Sequence, residues 1–156
     1  MLVRREEDEL RRLEILISCL VRFQTVAEGH EQMSYAFERG VNFLDTAELY
    51  SIPRSAETQG KASECVGSWL ASRPGDRSDI IVATKVAGYA NGMPWIPQNR
   101  GQDMDHCRVD ATSIRKAVEA ELKRLQTPYI DLIQVLYVPN SGRYCQEQAR
   151  ILFIRF

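Results

Sequence analysis

Three residues of this chain, Asp45, Tyr50 and Lys85, could together deliver a proton to a carbonyl oxygen. A free tyrosine hydroxyl has a pKa of about 10, roughly three units too high for proton exchange at neutral pH. A lysine ammonium beside the ring favours the phenolate, and an aspartate beside the lysine holds the ammonium in place and charged. Three units are worth about 4 kcal/mol, within reach of a desolvated ion pair but not of a surface one. Taken singly, each residue has a plainer reading. An Asp-Thr pair after a strand caps or turns the chain, a loop tyrosine packs its ring, and a strand-end lysine is solvated.

The relay therefore depends on elements that bring the three to one place. Val41-Asn42-Phe43-Leu44 reads as a short buried strand ending at Asp45, and Asp79–Thr84 as a second strand closed by Lys85. Tyr50 falls in the loop after the first strand, and residues 51–60 continue as a polar loop containing Pro53. Before that strand, Met33, Ala36 and Phe37 recur at helical spacing and Gly40 marks a stop. Between the strands, Ala62, Cys65, Val66, Trp69 and Leu70 form a full apolar stripe, ended by Pro74-Gly75-Asp76. Asp110 can cap a third helix with the stripe Ile114, Val118, Leu122 and Leu125, closed by Pro128. Tyr129–Leu136 is then a third strand. This alternation predicts an α/β architecture with parallel strands, whose carboxyl ends share one rim. Asp45, Tyr50 and Lys85 all fall on that rim.

Residues 88–109 carry Gly and Pro clusters without periodicity, and a loop of that length tends to be functional. Trp95 and Tyr89 could wall a pocket there or pack on the rim. His30, placed at a helix start, and His106, in the long loop, read as solvated. Residues 1–12 are densely charged and read as a helix, while Leu13–Phe23 fits helix and strand alike. The final residues, Ile151–Phe156, are apolar and need cover.

Composition narrows the partners. The chain has 156 residues, 20 Lys and Arg against 21 Asp and Glu, and a net charge of −1. Neither nucleic acid nor a membrane is expected as a partner, and 44% apolar content suits a single globular domain over 1–156. Cys19, Cys65, Cys107 and Cys145 lie far apart with no CxxC pair, which reads as reduced thiols and no metal site. With no signal peptide, transit peptide or membrane span evident, a cytoplasmic location is expected.

The surroundings of the three residues add a resemblance. Phe43-Leu44-Asp45-Thr46-Ala47-Glu48-Leu49-Tyr50 resembles the D-T-A-x-x-Y segment of aldo-keto reductases. Glu57-Thr58-Gln59-Gly60-Lys61 and Ala83-Thr84-Lys85-Val86 are similar to later landmarks of a plant and bacterial branch of that family. Arg108-Val109-Asp110, Leu122-Lys123-Arg124-Leu125 and Tyr129-Ile130-Asp131-Leu132 continue in order, so the likeness covers about 27–135, with divergent ends at 1–26 and 137–156. It implies a partial (β/α)8 TIM barrel, about the first half, and NADPH-dependent reduction of a small-molecule aldehyde or ketone. By the same resemblance Tyr50 is the general acid, tuned by Lys85 and Asp45.

Three departures qualify what the resemblance implies. The family's Q-x-H-W-P-D-R stretch reads Gln134-Val135-Leu136-Tyr137-Val138-Pro139-Asn140 here. Either Leu136 replaces the histidine, or a few residues are missing and Tyr137-Val138-Pro139 realigns with a tract just beyond it; both alignments remove an imidazole that orients the carbonyl. The family's G-T-x-x-x-G near the first strand is replaced by Ser18-Cys19-Leu20-Val21-Arg22-Phe23-Gln24-Thr25. A full barrel takes about 250 residues at about 30 per βα unit, so the later units that bind the cofactor's adenosine and phosphates have no counterpart. No cofactor-binding residue can be named from the sequence. Unpaired strand edges would need cover by the chain's own ends or would self-associate. Three expectations follow: a reductase with weak or absent turnover, a non-catalytic regulatory or binding subunit on the same scaffold, or a shortened non-functional product of a longer reductase.

Overall fold

The computed structural model describes residues 15–16, 25–51, 53–89, 93–104 and 106–136. They form a parallel sheet alternating with helices: β1 (Ile15–Leu16), α1 (Val26–Phe37), β2 (Phe43–Asp45), α2 (Lys61–Ala71), β3 (Ile81–Ala87), α3 (Trp95–Asn99), α4 (Ala111–Leu125) and β4 (Leu132–Leu136). The strands lie in chain order, β1-β2-β3-β4, each parallel to the next. The expected α/β layering is therefore present. Four strands, not three, are found, because Ile15–Leu16 in the ambiguous leading segment pairs with Leu44 and Asp45. The charged leading helix and the apolar end at 151–156 lie outside the described residues.

Local chemistry explains the helix limits. Thr25 and Glu28 form a capping box at the start of α1, and Gly40, with φ of 84°, turns the chain after its end. Asp110 caps α4 by accepting from the Ser113 amide at 2.8 Å. Gln126 closes α4 in the left-handed region at φ 49°, so the stop precedes Pro128.

The main core lies between helices and sheet. Met33 of α1, Leu44 of β2, Cys65, Val66, Trp69 and Leu70 of α2, Val82 of β3 and Leu125 of α4 are buried together. Each large apolar side chain fully buried there contributes roughly 1.5–3 kcal/mol. The α2 stripe is thus buried as expected. The α4 stripe is not: Ile114, Val118 and Leu122 are half-buried, and the deep positions are Ser113, Ala117, Glu121 and Leu125. The second strand also differs from expectation. A 3-10 turn occupies Arg77–Asp79, and β3 runs two residues past Lys85, which sits inside the strand. The segment after β3 contains the short helix α3 where only loop was expected.

His30 is not solvated either. It lies within α1, and its Nε2 meets Ser68 Oγ of α2 at 2.8 Å, linking the two helices. His106 is half-buried, with its ring 5.9 Å from that of Tyr89.

Candidate active site

Strand register puts the chemistry on one face. Asp45 is opposite Ala83, and Lys85 opposite Gln134, so with period-two alternation Asp45, Lys85 and Gln134 share a sheet face. Lys85 Nζ pairs with Asp45 Oδ2, and it also donates to the Thr46 carbonyl at 3.1 Å. Gln134 Nε2 approaches the other carboxylate oxygen, Asp45 Oδ1, at 3.4 Å. The Lys85 ammonium lies 5.3 Å from the centroid of the Tyr50 ring. All three residues expected at the rim are thus neighbours. The ion pair is mostly shielded, with side chains 13% and 12% exposed, so water screens it less than a surface pair.

The loop bearing Tyr50 is tied to β3 beyond the end of β2. The Thr46 amide donates to the Ala83 carbonyl and the Glu48 amide to the Lys85 carbonyl, both at 2.9 Å. Glu48 is fully buried and accepts from the Ala87 amide at 2.8 Å and from Arg100 Nε at 2.6 Å. Burial works against the Arg100 cation, but hydrogen bonds and charge from Glu48 outweigh it and hold its pKa above the ordinary value.

A second buried carboxylate, Glu121 of α4, stands behind the sheet. It accepts from Ser63 Oγ at 2.8 Å, Thr84 Oγ1 at 2.6 Å and Arg124 Nη1 at 2.9 Å. Ser63 Oγ also meets Thr46 Oγ1 at 3.1 Å, so the network reaches the residue whose carbonyl binds Lys85. Burial raises the Glu121 pKa, against the opposing pull of Thr84 and Arg124.

Sequence reasoning did not single out Gln134, Glu48, Arg100 or Glu121 as site or support residues. Glu48 lies inside the D-T-A-x-x-Y segment, whereas Gln134 is Lys85's partner across the sheet, a register that the sequence does not show. No spacing rule links Arg100 to Glu48 across 52 positions. Of the proposed aromatic walls, Trp95 packs with Met93 on a second apolar cluster of Leu49, Ala87, Ile96 and Cys107. Tyr89 is exposed. Leu136, at one alignment of the missing histidine, packs on that same cluster. In that alignment the position is filled by hydrocarbon, not by a hydrogen-bond donor.

Both Lys85 and Arg100, cations at this rim, are already committed to carboxylates. No residue is assigned to holding a cofactor.

Parallel strands in chain order with helices between them, and a lysine–aspartate pair beside a tyrosine, define part of a (β/α)8 barrel with a polar cluster at its rim. The chain belongs to the aldo/keto reductase family, whose model matches residues 23–152. It is 42% identical over 109 residues to Protein tas of Escherichia coli, covering 70% of this chain and 30% of that protein. It is 37% identical over 113 residues to norsolorinic acid reductase B of Aspergillus parasiticus, covering 69% and 26%. It is 33% identical over 129 residues to 6-dehydroglucose reductase of Novosphingobium aromaticivorans, covering 83% and 38%. The chain thus spans about a third of the length of these relatives. A solved aldo-keto reductase-type structure from Pseudomonas aeruginosa shares the fold with a TM-score of 0.52 at 24% identity, covering 76% of this chain and 39% of that one. Among the described residues no helix is long and apolar enough to cross a membrane.

Proposed function

We propose that this chain carries the proton-donating half of an aldo-keto reductase site acting on small aldehydes or ketones. The resemblance implies NADPH as the hydride donor, and this chain's own residues supply the proton. As the carbonyl oxygen gains negative charge, the Tyr50 hydroxyl gives it a proton and is left as a phenolate beside the Lys85 ammonium. Asp45 holds that ammonium in place, and solvent restores the proton to the phenol. The observation that carries this reading is the Lys85 ammonium, clasped by Asp45 and set 5.3 Å from the Tyr50 ring centroid. Apolar packing at Leu136 supports slow turnover, because no imidazole orients the carbonyl there.

The test is NADPH oxidation by the full chain with a reactive aldehyde, comparing wild type with Tyr50→Phe. Loss of a proton donor in the transition state predicts a fall in kcat of at least about 100-fold with little change in KM. Turnover indifferent to that substitution removes Tyr50 as the acid. Leu136 in its apolar cluster also favours a second reading, a non-catalytic scaffold. NADPH binding without any turnover would select it.

A further inference from the structure

The Glu48–Arg100 pair is more than a filled gap in the core. Its side chains are 0% and 1% exposed, and their hydrogen bonds reach the two segments that carry the site. Glu48 lies two residues before Tyr50, and its amide bonds the Lys85 carbonyl at 2.9 Å. Its carboxylate takes the Ala87 amide, two residues beyond Lys85, at 2.8 Å. Arg100 closes the arrangement from a third segment, gripping both Glu48 oxygens and donating to the Ala87 carbonyl at 3.3 Å. A buried ion pair is a poor source of net stability, since apolar residues of equal volume commonly do as well. What a forked guanidinium adds is fixed geometry.

We propose that Arg100, acting through Glu48, is a positioning residue that fixes the spacing between the Tyr50 loop and the Lys85 strand. What that spacing is for rests on the reductase reading, but the spacing itself can be measured without turnover. Two reporters are built in. Cys107 is fully buried beside the pair, in the cluster with Leu49, Ala87 and Ile96, and burial pushes its thiol up to about 11. Cys65 is buried in the main core, away from this cluster. Local loosening at the pair therefore exposes Cys107 and leaves Cys65 protected, whereas general unfolding exposes both.

The experiment uses the full chain as wild type, Arg100→Lys, and the double variant E48L/R100M. Iodoacetamide labels thiols and acetic anhydride labels amines, and peptide mass spectrometry reads Cys107, Cys65 and Lys85, with exposed Lys61 as the amine reference. In both variants Cys107 and Lys85 should react about tenfold faster than in wild type, with Cys65 unchanged. Arg100→Lys keeps the charge and loses the fork, so it stays informative if the double variant folds poorly. Wild-type labelling at Cys107 and Lys85 in Arg100→Lys overturns the proposal. So does a rise at Cys65 in step with Cys107, which makes the pair a general stabiliser. Turnover is measured in parallel: altered labelling with an inactive wild type would keep the positioning role and sink the reductase reading alone.

Discussion

Glu48 and Glu121 are both fully buried, and they differ in how their charge is met. Glu48 faces a forked guanidinium, whereas Glu121 relies on two hydroxyls and the partly exposed Arg124. Burial raises the Glu121 pKa above its unfolded value, so folding favours the protonated acid. The stability this group contributes is fully present below the ordinary glutamate range and is lost as pH rises through the raised value. Glu121→Gln keeps an acceptor for Ser63 and Thr84 but cannot ionise. The difference in urea midpoint, variant minus wild type, should therefore grow as pH rises from about 4.5 towards neutrality. A difference that stays flat would mean the carboxyl titrates normally. Lys85→Met tests the other ion pair, since it strands the Asp45 carboxylate with only 12% of its side chain wetted. Urea unfolding should show a loss of about 2 kcal/mol, less than for a fully enclosed pair, and Asp45→Asn in the same chain should restore part of it.

At the scale of elements, α2 and α4 show what a hydrophobic pattern can and cannot reveal. In α2 the buried face is the apolar one, so Ala62, Cys65, Val66, Trp69 and Leu70 were legible from spacing alone. In α4 the deepest line is Ser113, Ala117 and Glu121, one residue out of phase with Ile114, Val118 and Leu122. A one-residue offset rotates the face by about 100°, and only a partner for Glu121 makes that rotation tolerable. That partner is Ser63 on α2 with Thr84 on β3, far away in sequence. That Asp45, Tyr50 and Lys85 are neighbours was legible from the shared rim of a parallel sheet, although Lys85 lies inside β3 and not at its end. The α3 turn was not, being five residues long with a proline inside it. The contact between α2 and α4 is close enough to be brittle. A Cβ on Gly67 would come within 2.0 Å of the Arg124 carbonyl oxygen and 2.8 Å of Leu125 backbone atoms. Gly67→Ala should cost at least about 3 kcal/mol by thermal or urea unfolding, despite the helix propensity gained, because backbone must move.

At the scale of the whole sheet, the rim chemistry comes with an edge among the described residues. Among the described residues no strand pairs with β4 on the side away from β3. Its sequence, Leu132-Ile133-Gln134-Val135-Leu136, contains no charge and no proline, the usual devices that keep a free edge from pairing with another chain. Only Ile133 in it is fully buried, so most of the strand is within reach of a partner. The chain in isolation should therefore self-associate through this edge, with an apparent mass in light scattering that rises with concentration. Backbone amides of β4 directed away from β3 should exchange with deuterium quickly in dilute solution and more slowly as the mass rises. Leu132→Lys sets like charges against each other across such a contact and should hold the chain at monomer mass over the same range. If mass rises while those amides keep exchanging fast, association runs through another surface and the β4 edge is covered in some other way.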